Sequence, residues 1–382
     1  MSHCGTSRWK YSRVAIQGGY DELNLVASIK KRLIKWKSIT INKEDKEMKS
    51  SWQSCILGLT AVVVLLATGL LGCAQAPEAG PITFELVTGV PATEYQIKND
   101  VLAWAEEVTK QSGGRLTIKF IGGPEAVPPM EQLAPLSENV YQLLFSAPAY
   151  MADRVPAGIA VDVSEASPAE YRNSGFTRIF DEMYQEKANA KVLSISRCSG
   201  YRIYLTKRID KADLAGLRLR ATPTYIPMVT RLGGVTTYMP ISEMFPALQQ
   251  GVIDGLVGPP PVSIISMGVH ELIKYIVTPS FGKTTLATYV NLDAWNSLPK
   301  DLQDILAKAP PDFADNYWVL AHNKLKEDMV FLKEQGVEEI VLSPAESKKL
   351  LDAWYTETWA LVLKNDPNWG SRLKEAADKI PR

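Results

Sequence analysis

Residues 82–88 read ITFELVT and residues 115–121 read RLTIKFI, two runs in which apolar and polar side chains alternate as along a strand with one buried face. Between them, from about Glu94 to Gln111, apolar residues recur at helical spacing until Ser112-Gly113-Gly114 stops the pattern. Gly122-Gly123-Pro124 closes the second strand, MEQLAPLSENV (130–140) supports a helix, and the apolar run in YQLLFSAPAY (141–150) reads as a buried strand. Strand, helix, strand, helix, strand is the order of a mostly parallel sheet flanked by helices, because parallel neighbours need a crossover between them. This stretch sets the fold class as α/β.

The alternation of elements continues. Pro168 to Lys187 is helical and Val192 to Ser196 a strand; GYRIYLT (200–206) and LRLR (217–220) are two more strands. PTYIPMVTRLG (223–233) is a helix entered through proline and closed by Gly233-Gly234, and ISEMFPALQQG (241–251) is a short helix. VIDGLVG (252–258), ELIKYIVTP (271–279) and TTLATYVNL (284–292) complete the strands. Asp301 to Gln335 is one long helical pattern with a bend expected at Pro310-Pro311, Gly336 ends it, and Pro344 opens a Trp-rich helix to about residue 364 with a short tail after Pro367. Neither an internal repeat nor a linker separates two self-contained halves, so two lobes are expected to exchange the chain more than once. We assign 82–200 and 281–335 to lobe I, 201–280 to lobe II, and 336–382 to C-terminal helices packing across both. Ligands of such hinged α/β lobes sit beyond the carboxyl ends of strands.

The 382 residues are 46% hydrophobic and 22% charged, ordinary for a folded protein, and carry no formal net charge. That balance hides an asymmetry: residues 1–47 hold ten Lys and Arg against five Asp and Glu, whereas residues 74–382 hold 31 basic and 37 acidic side chains, a net of −6. An acidic body argues against a nucleic-acid binder. Met48-Lys49, the apolar run ILGLTAVVVLLATGLLG (56–72) and then Cys73 follow the layout of a secretory signal, with LLGC (70–73) similar to the lipobox that lipidates bacterial lipoproteins at cysteine. The alternative is an uncleaved anchor, for which 17 residues is short. Residues 1–47 then read as a misassigned or cytoplasmic extension, 48–72 as the lipoprotein signal peptide, 73–81 as a linker after a lipidated Cys73, and the body as exported. Of four cysteines only Cys198 is left in the body, so no disulfide framework is expected there.

Sequences for chemistry are missing. The body has two histidines, His270 and His322, in unlike contexts and no cysteine pair, which leaves no three-ligand metal site. G-x-S-x-G, G-x-x-x-x-G-K-[ST] and G-x-G-x-x-G are all absent. No cofactor, metal or catalytic residue is expected.

DLAGLRLR (213–220), a helix ending in LGG (232–234), MPISEMFPALQQGVIDG (239–255) and NLDAWNSLPKDLQDIL (291–306) occur in this order. Together they resemble the extracytoplasmic solute-binding proteins of TRAP transporters, the DctP family, and a weaker likeness over 120–158 extends the resemblance to most of the body. The resemblance implies a two-lobe, periplasmic-binding-protein-like clamshell with long C-terminal helices spanning the lobes. It implies a small organic anion as ligand, commonly a carboxylate, delivered to a sodium-driven permease of small and large integral membrane subunits. A solute-binding sensor module and an exported hydrolase are the alternatives.

Strand alternation alone makes Arg218 and Arg220 equivalent. The resemblance separates them: Arg220 matches the family's carboxylate-binding arginine, for which a planar fork of charged donors is suited, the alternative being a surface salt bridge to Asp213 or a neighbour, whereas Arg218, in the family's lysine position, is expected in solvent. Arg202 matches a second cationic contact, with Arg197 competing for that role. Thr222 follows Arg220 closely enough to assist it; Tyr150, Tyr225 and Tyr201 are expected as walls. Gly258 stands where sialic-acid-binding members supply Asn, and Leu256-Val257 replaces the Glu-Trp of members that bind keto acids through a cation, so no metal-bridged site is expected. Glu243, Asp254 and Gly255 read as caps or turns, and Gly251 and Gly255 as positions of positive φ.

Overall fold

A computed structural model describes residues 80–93, 97–239 and 243–380 of the chain. The signal segment, Cys73 and the extension before it lie outside the described residues.

Among the described residues, eleven strands form two mixed sheets. The first contains β1 (Ile82–Thr88), β2 (Leu116–Gly122), β3 (Leu143–Ser146), β4 (Ala190–Arg197) and β10 (Thr285–Asn291) in the order β2-β1-β3-β10-β4. Here β1, β2 and β3 are parallel, and β10 lies antiparallel between β3 and β4. The second contains β5 (Arg202–Leu205), β6 (Arg218–Arg220), β7 (Val235–Thr237), β8 (Gly255–Gly258), β9 (Tyr275–Thr278) and β11 (Glu338–Val341) in the order β11-β9-β5-β8-β6-β7. In it β6, β7 and β8 are parallel, β5 is antiparallel to β8 and β9, and β11 is parallel to β9.

The helices are α1 (Leu102–Gln111), α2 (Leu133–Ser137), α3 (Pro168–Asn173), α4 (Phe176–Ala188), α5 (Ile226–Arg231), α6 (Met244–Gln249), α7 (Pro261–Ser266), α8 (Leu292–Ser297), α9 (Lys300–Glu334), α10 (Pro344–Asn365) and α11 (Pro367–Ala377). The stretch 168–187, read above as one helix, is broken at Gly175, whose φ of 82° no helix continues through. A Ser167–Glu170 capping box starts α3. The long α9 keeps both Pro310 and Pro311 inside one helix of 35 residues, about 52 Å at 1.5 Å per residue. Its first half puts Leu302, Leu306 and Phe313 into the core of the first sheet with Leu86, Trp104 and Phe145, and its last turns put Leu332 into the core of the second with Tyr204, Leu256 and Ile276. Two apolar cores at its two ends hold it across the lost proline hydrogen bonds.

The stretch 336–382, expected to be helical, opens instead with β11, an edge strand of the second sheet, and the expected tail after Pro367 is the helix α11. The chain crosses between the sheets after β4 and again after β9. These two crossings form a narrow ribbon: Tyr201 and Phe281 exchange backbone hydrogen bonds of 2.9 and 3.0 Å, and Cys198 donates to the Thr284 carbonyl at 2.8 Å. Beside the ribbon, Lys283 donates its backbone N–H to the Asp162 carbonyl at 2.9 Å. Trp354 of α10 closes the junction, with Tyr201, Tyr225 and Phe281 around its ring and its Nε1 donating to the Val163 carbonyl at 3.1 Å.

Candidate functional site

Topology fixes where a site can form. In the second sheet the parallel strands β6 and β8 end at Arg220 and Gly258, and antiparallel β5 begins beside them, with Arg202 level with Gly258. In the first sheet β1, β2 and β3 end at Thr88, Gly122 and Ser146, and the turn Pro148–Met151 then carries Tyr150. Parallel strands leave their carboxyl ends on one edge, where connecting loops diverge and make room for a ligand.

Arg220 is 6% exposed. Its Nε donates to the Met239 carbonyl at 3.3 Å, and among the described residues no carboxylate pairs with it. Burial lowers its pKa from the ordinary value, while the hydroxyls of Tyr225, Tyr150 and Tyr238 act against that shift. These groups come from both sheets: Tyr150 follows β3 of the first, Tyr225 and Tyr238 belong to the second. A buried guanidinium with no carboxylate partner among the described residues is an electrostatic demand for an anion. Nearby, the Thr222 hydroxyl oxygen is shut off from solvent without a hydrogen-bond partner among the described residues.

Arg218 is settled differently. Its Nε lies 2.9 Å from Asp254 Oδ2, and its NH2 group donates to the Gly251 carbonyl at 2.7 Å. Lys207 holds the other oxygen of the same carboxylate at 2.7 Å. Arg218, expected in solvent, is half exposed but paired with Asp254, and these hydrogen bonds keep the Asp254 carboxyl well below the usual range. Glu243 is exposed at the start of α6 and makes no capping hydrogen bond.

The structure distributes the other expected residues unevenly. Arg202 is buried at the same sheet edge as Arg220, and its NH1 donates to Thr278 Oγ1 at 3.1 Å. Thr278 Oγ1 in turn donates to Glu339 at 2.6 Å. Arg197 is fully buried and faces the junction, donating to the carbonyls of Val161 and Ser164 at 2.7 Å each while its guanidinium lies 4.4 Å from the Tyr171 ring centre. Gly258 has φ 129°, and a Cβ there would lie 2.8 Å from the Tyr225 ring, so this glycine makes room for Tyr225. Gly251 has the expected positive φ of 66°, but Gly255 does not: it is a strand residue without side chain because a Cβ would run into the Tyr204 carbonyl.

Two contributors escaped the sequence. The Met239 carbonyl is a main-chain group, which no side-chain pattern announces. Asp162 is 1% exposed, and its Oδ1 has no hydrogen-bond partner among the described residues; the available signal was a single acid inside the apolar run AGIAVDV (157–163).

Comparisons with known proteins agree on one family. The model of bacterial extracellular solute-binding proteins, family 7 (DctP), matches residues 87–360. An uncharacterized protein of Haemophilus influenzae is 32% identical over 187 residues, which is 46% of this chain and 56% of its own length, little more than half of that relative. A monocarboxylate 2-oxoacid-binding periplasmic protein of Nostoc is 25% identical over 276 residues, 65% of this chain and 72% of that protein. Among solved structures, a TRAP periplasmic solute-binding protein of Desulfovibrio salexigens with bound orotic acid superposes with a TM-score of 0.70 at 20% identity, over 78% of this chain and 99% of that one.

Proposed function

The chain belongs to the DctP family of bacterial extracellular solute-binding proteins, a family of TRAP receptors and not of enzymes, and on that premise we propose that it holds a small carboxylate against Arg220 between its two sheets. The observation that carries this reading is the state of Arg220: buried, with one hydrogen bond among the described residues, from Nε to the Met239 carbonyl, and no carboxylate partner among them. A carboxylate supplies two acceptors in the plane of the fork and returns the hydrogen bonding that burial removed. Of the other buried arginines among the described residues, Arg197 is engaged by two carbonyls, whereas Arg202 donates once, to Thr278, and its Nε has no partner there. The relatives named above bind a monocarboxylate 2-oxoacid and orotic acid, which are anions of this kind. Tyr150, Thr222 and Tyr225 would contact the rest of the ligand, Gly258 serving through the place it leaves for Tyr225.

The receptor would pass its ligand to a sodium-coupled permease of small and large membrane subunits, and would be held at the membrane by a lipid on Cys73. No helix among the described residues is long and apolar enough to cross a membrane. Calorimetric titration of the purified full chain with a carboxylate panel tests the site. A ligand found this way should bind about a hundredfold more weakly to Arg220→Ala, the usual scale for truncating a buried charged partner; equal affinity in the variant would remove Arg220 from the site. Mass spectrometry of the membrane-extracted protein tests the anchor, since an unmodified Cys73 is incompatible with it.

A further inference from the structure

Met130 is the most exposed of the described methionines. It is 46% exposed, whereas Met151, Met183, Met228, Met239 and Met244 are buried and Met267 and Met329 pack against an apolar core. A thioether in contact with water is open to two-electron oxidants, and burial protects it. The turn that carries Met130, Pro129–Glu131, is anchored from beneath. Fully buried Gln132 donates its side-chain amide to the carbonyls of Thr88 and Val127 at 2.9 and 3.0 Å and accepts from Ser146 Oγ at 3.0 Å. This fixes the turn beside the ends of β1 and β3.

The neighbour of this sulfur comes from the other sheet. Tyr238, 48% exposed, donates its hydroxyl to Met130 Sδ at 2.6 Å. Tyr238 follows β7, whose last residue, Thr237, accepts from the Ala221 N–H at 3.2 Å, and it precedes Met239, whose carbonyl accepts from Arg220 Nε. One step along the chain therefore separates this contact from the buried guanidinium. A thioether sulfur is a weak acceptor. Oxidation turns it into a polar sulfoxide whose oxygen is a strong one.

We propose that Met130 is an oxidation site through which peroxide sets how long the receptor keeps its ligand: the sulfoxide accepts from Tyr238 more strongly than the thioether does and so holds the two sheets together. In the step, a lone pair of Sδ attacks one oxygen of hydrogen peroxide and the O–O bond breaks. The sulfur is oxidised by two electrons, and the other oxygen leaves as hydroxide, which takes the proton of the transferred oxygen and becomes water. Tyr238 then donates to the new oxygen. Both side chains are about half exposed, so the pair lengthens by one atom without displacing a core. The inference rests on the reading that the two sheets close on a carboxylate held by Arg220, and adds a control of its release.

The test uses the full chain, untreated and treated with hydrogen peroxide until peptide mass mapping finds one added oxygen on Met130, with orotate and 2-oxo-4-methylpentanoate as probes. By stopped flow, the treated wild type should release a bound probe about threefold or more slowly than the untreated, the scale of one hydrogen bond. A methionine sulfoxide reductase supplied with a thiol should restore the rate. Met130→Leu keeps every other sulfur and Tyr238→Phe keeps Met130 without its donor, so treatment should leave release unchanged in both. Thermal melts of the ligand-free chain supply a readout independent of any ligand: treatment should raise the melting temperature of the wild type by roughly 1 °C or more relative to its effect on Tyr238→Phe. Release that is unaltered or faster in the treated wild type, slowing shared by Met130→Leu, or oxidation of another described methionine before Met130 overturns the proposal and leaves the carboxylate site standing. Failure of both probes to bind the untreated wild type counts against the carboxylate reading, and the melts then decide the role of Met130, an equal response of wild type and Tyr238→Phe overturning it.

Discussion

Arg218 and Arg220 lie two residues apart on a three-residue strand, and what divides them is the supply of acceptors around each. Arg218 starts β6 beside the loop that ends in Asp254, so a carboxylate and a carbonyl saturate it at the surface. Arg220 ends the strand under Met239, where one carbonyl reaches one of its nitrogens. Arg218→Ala should therefore lower the melting temperature and leave ligand affinity within a factor of about two, a small change on the scale of a binding contact, whereas Arg220→Ala should do the reverse; a calorimeter separates the two, and a loss of affinity in Arg218→Ala would undo the division. The sequence made this distinction legible only through a motif, because alternation treats both arginines alike. Asp162 was less legible still, since one acid within an apolar run gives no sign of its partners. Its burial carries a stability prediction of definite sign. The folded chain keeps that carboxyl protonated up to about pH 7, while an unfolded aspartic acid releases its proton near 4. Between those values the folded state binds more protons, so this group's contribution to stability falls as pH rises. Asp162→Asn should accordingly melt higher than wild type above pH 7, with a gain that fades toward pH 4; thermal melts across that range would contradict the assignment if the difference were independent of pH.

At the scale of elements, the strands that the alternation found are those with one face or both in a core: β1, β2, β4 and β10 carry Leu86, Leu116, Val192 and Tyr289 into buried positions. The strand β7, with Val235 and Thr237 exposed, and β11, with Glu338, Glu339 and Val341 exposed, were invisible. Both are short sheet edges, and a solvated edge of polar residues lacks the pattern that burial imposes. Local propensity at Pro310-Pro311 argues for a bend, and packing at both ends of α9 keeps the helix continuous through the pair. Trp354 of α10 is the clearest case of an element whose meaning depends on the fold. The sequence shows a Trp-rich helix, and the structure makes one of those rings the filling of the junction between lobes. Trp354→Ala should cost about 3–5 kcal/mol of unfolding free energy, the range for emptying a large buried aromatic site. Trp354→Phe should cost less, losing mainly the hydrogen bond to Val163. Urea unfolding with both variants checks the order; an Ala variant as stable as wild type would mean that the junction does not depend on this ring.

For the whole molecule, the decisive fact is that the two sheets share one chain through a ribbon and a common helix, while their binding edges meet through side chains. The contacts of Trp354 with Tyr201 and Phe281 lie at the ribbon itself. Far from it, Tyr238, on the loop after β7, donates its hydroxyl to Met130 Sδ, in the turn after β2. Both side chains are about half exposed, 48% and 46%, so neither is held by a core, and each finds its partner on the other sheet. If the lobes part on ligand release, this contact breaks with them. A contact present only when the lobes are together stabilises the ligand-bound state against opening and contributes little to the encounter, so its loss should appear in dissociation. Tyr238→Phe and Met130→Ala should each speed ligand release about threefold to tenfold, the equivalent of roughly 1 kcal/mol, with association unchanged and with no additive effect when combined. Stopped-flow release measured on the two single variants and the double variant decides it: unaltered release in all three would mean that the ribbon, the aromatic junction and the ligand hold the lobes closed without a latch at the mouth.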